Sequence, residues 1–302
     1  MYTPRLKAYL LLLIVTVIWG IAGPIIKFTL GGIAPLPFLT YRLALSSIVA
    51  VIIFISGLSK IPKEKRVFFE TLLYGFLTSI ALGLLFWGLN KTTVLDMTII
   101  TAVGPLLIAL AGVLYLKEHI TKREKTGMGL AFFGVFITII EPVFNNNFTA
   151  ASISGNMLVI LYLLVNTVSV VMAKRLLRKG VSPITMANFS FVVGFITIAP
   201  LALLQVGFNN LVDVIYHLAL PFHLGILFMA LISGNLAYSL WIKGQKTIEI
   251  GEAALFNYLY PIFAIPLAIL WLKETVTIPF IIGAIIIVIG VFIAEIKKRR
   301  YT

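Results

Sequence analysis

The chain has 302 residues, of which 60% are hydrophobic and 12% charged. Soluble domains carry about 25% charged residues, so this composition, with a mean hydropathy of +1.07, excludes an ordinary water-soluble core. Cysteine is absent, which removes disulfide frameworks and thiolate metal sites.

The first apolar stretch, Ala8–Ile26, exceeds the roughly 7–15-residue core of a signal peptide and reads as a retained membrane span. Four runs of 20 residues contain no Asp, Glu, Lys or Arg: Thr71–Asn90, Met97–Leu116, Ala253–Leu272 and Thr275–Ala294. A helix needs about 20 apolar residues to cross the hydrocarbon of a bilayer. A barrel strand would alternate in polarity, and these runs are apolar on every face. Apolar runs set against charged or turn-rich breaks predict ten helices, over 7–29, 36–57, 67–90, 96–116, 124–141, 153–174, 183–206, 219–242, 252–272 and 276–296.

The net charge of +13 is not scattered. Twenty of the 24 Lys and Arg residues fall at the N-terminus, in the even-numbered loops or at the C-terminus; Lys27, Lys91 and Lys273 fall on the opposite side, and Arg42 lies within a span. Positive residues near span ends stay cytoplasmic. The bias therefore predicts both termini inside a plasma membrane, and it accounts for the charge without a nucleic-acid partner.

The chain also repeats itself. "GPLLIALAGVLYLKE" from Gly104 is answered by "YPIFAIPLAILWLKE" from Tyr260, 156 residues later. In that register Gly88 maps on Gly244, Asp96 on Glu252, Pro105 on Pro261, Glu118 on Glu274, and "GVFI" at Gly134 on "GVFI" at Gly290; nearer the start of each half the offset shortens, and Lys27 maps on Lys174. Each half holds five predicted spans. An odd number places equivalent residues on opposite membrane faces, the inverted repeat on which many transporters are built. The expected fold is an all-α polytopic membrane protein, with one five-helix unit in 1–141 and a second in 152–302.

With Trp19-Gly20, "PFLTYR" at Pro37–Arg42, and each "P…LKE" followed by "G…GV", the chain resembles the EamA family of the drug/metabolite transporter superfamily over nearly its whole length. The resemblance implies transport of a small metabolite, amino-acid export first among the choices. The second half departs from the pattern: Asn166 lies near the position of Trp19, and Asn188 stands where Arg42 would repeat.

All eleven acids lie at or near span ends, whereas proton relays and cation sites in membranes use buried acids. A central-carboxylate exchange mechanism and a carboxylate sodium site are therefore disfavoured. No nucleophile–base pair or phosphate-cradling glycine loop is present, so neither an enzyme nor a cofactor is expected. Asp96 and Glu252, at the first turns of spans four and nine, fit helix capping and dipole compensation or gating; Glu118 and Glu274, beside Lys117 and Lys273, fit a fold-holding ion pair, an interface anchor or a substrate contact.

The candidate site is a neutral, amide- and hydroxyl-bearing lining. Thr101, with Thr98 and Pro105, shares one face of span four, and Asn257 and Tyr258, with Pro261, share the equivalent face of span nine. Tyr162, Asn166 and Ser169 group in span six, Asn235, Tyr238 and Ser239 in span eight, and Ser79, Gly83, Trp87 and Asn90 in span three. Each group fits either interhelical bonding or a shared cavity. Trp19 and Trp87 fit a cavity wall or an interfacial belt equally well. Arg42 fits either a carbonyl-bonding structural role or a contact to a substrate carboxylate or phosphate. Pro105 and Pro261 are expected to kink their spans and serve as hinges. The resulting expectation is an alternating-access carrier of small neutral or zwitterionic solutes in the lipid bilayer. The rivals are a lipophilic-drug or organic-anion carrier, a channel and a lipid scramblase.

Overall fold

The computed structural model describes residues 4–116, 122–144, 150–248, 253 and 255–295. The described residues are almost entirely helical. In chain order the helices are α1 (Pro4–Leu30), α2 (Pro35–Ile55), α3 (Lys65–Lys91), α4 (Val94–Thr101), α5 (Gly104–Leu116), α6 (Lys122–Phe144), α7 (Ala150–Arg178), α8 (Pro183–Val206), α9 (Phe208–Tyr216), α10 (Leu220–Leu227), a π-helical segment (Phe228–Leu236), α11 (Ala237–Thr247), a 3₁₀ segment (Leu255–Leu259), α12 (Tyr260–Leu270) and α13 (Ile278–Glu295).

Among the described residues, seven helical stretches are long and apolar enough to cross a membrane: Pro4–Leu30, Pro35–Ile55, Lys65–Lys91, Val94–Gly112, Ser152–Arg178, Pro183–Val206 and Leu220–Lys246. Lys125–Thr138, Phe256–Leu270 and Ile278–Ile293 are shorter apolar helices and correspond to the fifth, ninth and tenth expected spans. One element was absent from the sequence reading. The outer loop expected between 206 and 219 holds α9, whose Phe208 and Tyr216 are exposed.

The helix ends follow local chemistry. Pro183 starts α8 behind Ser182, whose hydroxyl accepts from the Thr185 amide at 3.1 Å, the usual satisfaction of a free first-turn donor. Thr93 does the same for α4 through the Asp96 amide. Asp96 is the first-turn acid of α4, as expected, but Thr93 supplies the side-chain cap; Asp96 is buried and accepts from Thr92 Oγ1 at 3.2 Å and Asn156 Nδ2 at 3.4 Å. Glu252 and Glu118, the other acids in that comparison, lie outside the described residues.

Contacts at the helix ends fix the directions of the chain. Lys27, near the end of α1, donates to Leu89 O at 2.8 Å and Thr92 O at 2.6 Å, at the end of α3. Asn156, near the start of α7, meets that same corner through Thr92 and Asp96. At the opposite end of α7, Arg175 and Lys179 pair with Glu70, near the start of α3. So α7 runs antiparallel to α3, and α1 runs parallel to α3.

Glycine permits the closest crossings. A Cβ on Gly88 would lie 2.9 Å from Val159, and one on Gly244 would lie 2.9 Å from Leu12. A Cβ on Gly134 would meet Gly283 O at 2.8 Å, and one on Gly290 would meet the Ala131 amide nitrogen at 2.4 Å and Gly127 O at 2.7 Å. Backbones this close need small residues, as is common where membrane helices pack without a hydrophobic driving force.

Candidate functional site

A cavity of about 170 Å³ lies among α1, α2, α3, the α4–α5 junction, α7, the π segment, α11, the 3₁₀ segment and α12. Both halves of the chain contribute. Of the expected site residues, Trp19, Arg42, Thr101, Asn166, Tyr238 and Asn257 line it. Trp87, Asn235 and Tyr258 are not in its wall. Trp87 and Tyr258 each follow a residue that does line the cavity, Phe86 and Asn257, whereas Asn235 donates through Nδ2 to Ser46 O at 3.2 Å, outside the wall. Sequence spacing identified the right helix but chose a neighbouring position.

The prolines are arranged differently from the expectation. Neither lies inside a continuous helix: α4 ends at Thr101 and α5 begins at Gly104, while the 3₁₀ segment ends at Leu259 and α12 begins at Tyr260. Pro105 and Pro261 thus occupy first turns, where a missing N–H is tolerated. The helices are broken ahead of the prolines, in the same register in both halves. A proline cannot donate to the carbonyl four residues back, and those carbonyls belong to Thr101 and Asn257, both in the cavity wall. Interrupted helices at mid-membrane are the usual makers of carrier sites.

The π segment forms the opposite wall. Its carbonyls receive side chains from the first half: Arg42 Nε donates to Met229 O at 2.9 Å, Ser46 Oγ to Ala230 O at 3.0 Å, and Trp19 Nε1 to Ser233 O at 3.0 Å. Single π turns within α-helices recur at functional sites. Nothing in "FMALISGNL" announces this turn, so periodicity could not have found it. The interfacial-belt option for Trp19 falls away. Its ring lies within the protein, with centroids 5.6 Å from Tyr238, 5.3 Å from Trp241 and 6.5 Å from Tyr260.

Arg42 is 2% exposed. Its guanidinium carbon stands 5.4 Å from the Phe86 centroid, and Nη1 has no hydrogen-bond partner. Gln245, 1% exposed, lines the cavity with both side-chain polar atoms unpartnered, as does Asn257 through Oδ1. Gln245 was missed from sequence because it sits beyond the expected end of span eight. Among the described lining residues there is no Asp, Glu, Lys or His; Arg42 is the charged group of the wall.

Outside the cavity, Glu274 makes a fold-holding contact with the first half of the chain. Lys273 adopts φ 58°, which turns the chain so that Glu274 accepts from the amides of Val94 at 2.8 Å and Leu95 at 3.0 Å. It thus caps the N-terminus of α4 from the other half of the chain. Burial raises the Glu274 pKa, opposed by these two amide bonds and by the Lys27 charge. Lys117 and Glu118 lie outside the described residues.

A polytopic helical protein with a cavity at broken helices, largely apolar but set with amide, hydroxyl and guanidinium groups, has the architecture of a membrane carrier. The chain belongs to the EamA-like transporter family, whose model matches residues 6–140 and again 153–295. It is 24% identical over 297 residues to the uncharacterized transporter YyaM of Bacillus subtilis, covering 96% of this chain and 94% of that one. It is 29% identical to the uncharacterized transporter YetK of the same organism, over 74% of this chain and 66% of that one. It is 24% identical to a probable amino-acid metabolite efflux pump of Salmonella typhimurium, over 94% and 93% of the two chains. A solved crystal structure superposes with a TM-score of 0.65 at 14% identity, over 95% of this chain and 96% of the other, a likeness of fold.

Proposed function

We propose that the protein is a secondary carrier that exports small neutral or zwitterionic metabolites, amino acids among them, by alternating access through this cavity. The reading includes ten crossings of the plasma membrane, with both termini cytoplasmic, and two five-helix units of opposite orientation. Its main support is the cavity itself: it is shared by both halves, edged by the helix breaks ahead of Pro105 and Pro261, and walled, among the described residues, by aliphatic and aromatic side chains with amide and hydroxyl groups and one cation. The antiparallel course of α7 relative to α1 supports opposite orientation of the units. The cavity volume supports a small solute, since an apolar cavity of about 150 Å³ holds a benzene-sized ligand. The name of the Salmonella relative supports amino-acid export.

The test is two-sided access. The chain has no native thiol, so Thr101→Cys provides a single reporter in the cavity wall. In sealed vesicles of either orientation, impermeant thiol reagents should modify it from each side. Solute loaded on the far side should accelerate flux in proteoliposomes. Modification from one side only, or flux indifferent to solute on the far side, would favour a vestibule or a channel instead.

A further inference from the structure

Arg42 is the charged group among the described residues of the cavity wall. A cation buried within a membrane span is costly and is kept where partners satisfy it. Arg42 has partners for only part of its guanidinium. Nε is fixed on Met229 O of the π segment at 2.9 Å, and the Phe86 ring lies 5.4 Å from the central carbon. Met229 and Phe86 both belong to the cavity wall, so the guanidinium is held between two lining residues. Nη1 is left without a partner, and no carboxylate among the described lining residues neutralises the charge.

The surroundings are built to orient this group. The π segment presents Met229 O, Ala230 O and Ser233 O to Arg42, Ser46 and Trp19 in turn, which fixes the guanidinium and the Trp19 ring on one frame. In the second half, Asn188 occupies the Arg42 position. It is buried, lies outside the cavity wall and carries no charge. The cation is therefore confined to one of two equivalent positions, the one beside the cavity.

We infer that Arg42 is the docking point for a carboxylate on the transported solute, and that the cavity selects small organic monocarboxylates, zwitterionic amino acids among them, over amines and uncharged analogues. An incoming carboxylate supplies the anion that the wall lacks and takes up the free Nη1 in a charge-assisted hydrogen bond, stronger than a neutral one. The cluster of Trp19, Tyr238 and Trp241 supplies an apolar surface for the rest of the solute. The inference rests on the cavity being the transport site.

The experiment uses three probes that share one apolar body: leucine, 4-methylpentanoate, which lacks the ammonium, and 3-methylbutylamine, which lacks the carboxylate. Binding to the purified full chain is read by tryptophan fluorescence and by the shift in thermal unfolding midpoint. Leucine and 4-methylpentanoate should bind the wild type, and the amine roughly 30-fold more weakly or less, as expected when one partner of a buried charge pair is removed. Arg42→Gln should lose the acids' advantage over the amine. Arg42→Lys should retain part of it, because lysine keeps the charge without the planar fork. Acids that fail to bind the wild type, an amine that binds as well as the acids, or acids that bind Arg42→Gln undiminished would each overturn the inference. If Arg42→Gln does not fold, the wild-type comparison of acid with amine decides alone. The transport reading is tested separately: Thr101→Cys modified from both sides leaves it standing even if the acids fail.

Discussion

The two halves of this chain are alike where they hold the helices together and unlike where they face the cavity. Lys27 donates to Leu89 O and Thr92 O; Lys174 donates to Gln245 O at 2.8 Å and Ile248 O at 2.6 Å. The acceptors are related by the same offset of 156 that relates Pro105 to Pro261. Gly88 packs on Val159 as Gly244 packs on Leu12, and Gly134 on the α13 backbone as Gly290 on the α6 backbone. In the cavity wall the correspondence holds at the breaks ahead of Pro105 and Pro261 and stops at Arg42. Arg42 stands against a π segment, while Asn188 replaces it in the other half, and the equivalent of the π segment, residues 72–80, is regular α3. These scaffold contacts bring a lysine ammonium or a neighbouring helix directly onto backbone, which leaves little room for change. The departure at Arg42 gives the cavity wall its charge.

The largest expected effects concern the glycine crossings. Gly290→Ala would drive a Cβ against the Ala131 backbone, and Gly134→Ala against Gly283 O. Since backbone must move, each should cost about 3 kcal/mol, the upper part of the usual overpacking range, measured by unfolding of the purified protein. Similar losses would sustain the likeness of the halves, and a loss confined to one would break it.

The lysine caps come next. Lys27→Met and Lys174→Met each remove the donor to two helix-end carbonyls. Each should lower stability by roughly 1–2 kcal/mol, and by similar amounts. Unequal losses would show that one corner of the molecule bears more of the fold than its counterpart.

The smallest effect is a pH dependence at Glu274. Burial raises its folded pKa above the unfolded value, so the folded state binds the extra proton between the two values. Stability from this group is therefore full below the unfolded pKa and declines as pH rises through the folded one. Relative to the wild type, Glu274→Gln should be favoured at neutral pH, and its advantage should shrink as acid protonates the wild-type carboxyl. Parallel unfolding curves from neutral to acid pH would check this. An advantage that grows in acid would mean that the amide bonds and Lys27, not burial, govern the group.

Much of this was legible in the sequence because membrane spans and repeats leave strong marks. Twenty-residue uncharged runs gave the helices, and glycine, proline and lysine positions gave the register. Six of the nine expected lining residues do face the cavity. What escaped the sequence was set by geometry without a local signal. The π turn at Phe228–Leu236 carries no compositional mark, and it redirects the face of span eight. The choice of Phe86 over Trp87 depends on helix rotation of one residue. Glu274 reaches α4 because Lys273 takes up a left-handed conformation, which no local sequence signal marks.

The central claim is that the two halves are one unit in opposite orientations. Gly31 and Arg178 are equivalent at the offset of 147 that relates Lys27 to Lys174, and both are exposed. Gly31→Cys and Arg178→Cys, each the lone thiol of its variant, should be labelled by an impermeant reagent from opposite faces of the membrane: Gly31→Cys from outside, Arg178→Cys from the cytoplasmic side. Labelling of both from the same face would contradict the inverted repeat, and with it the account of how the cavity is shared.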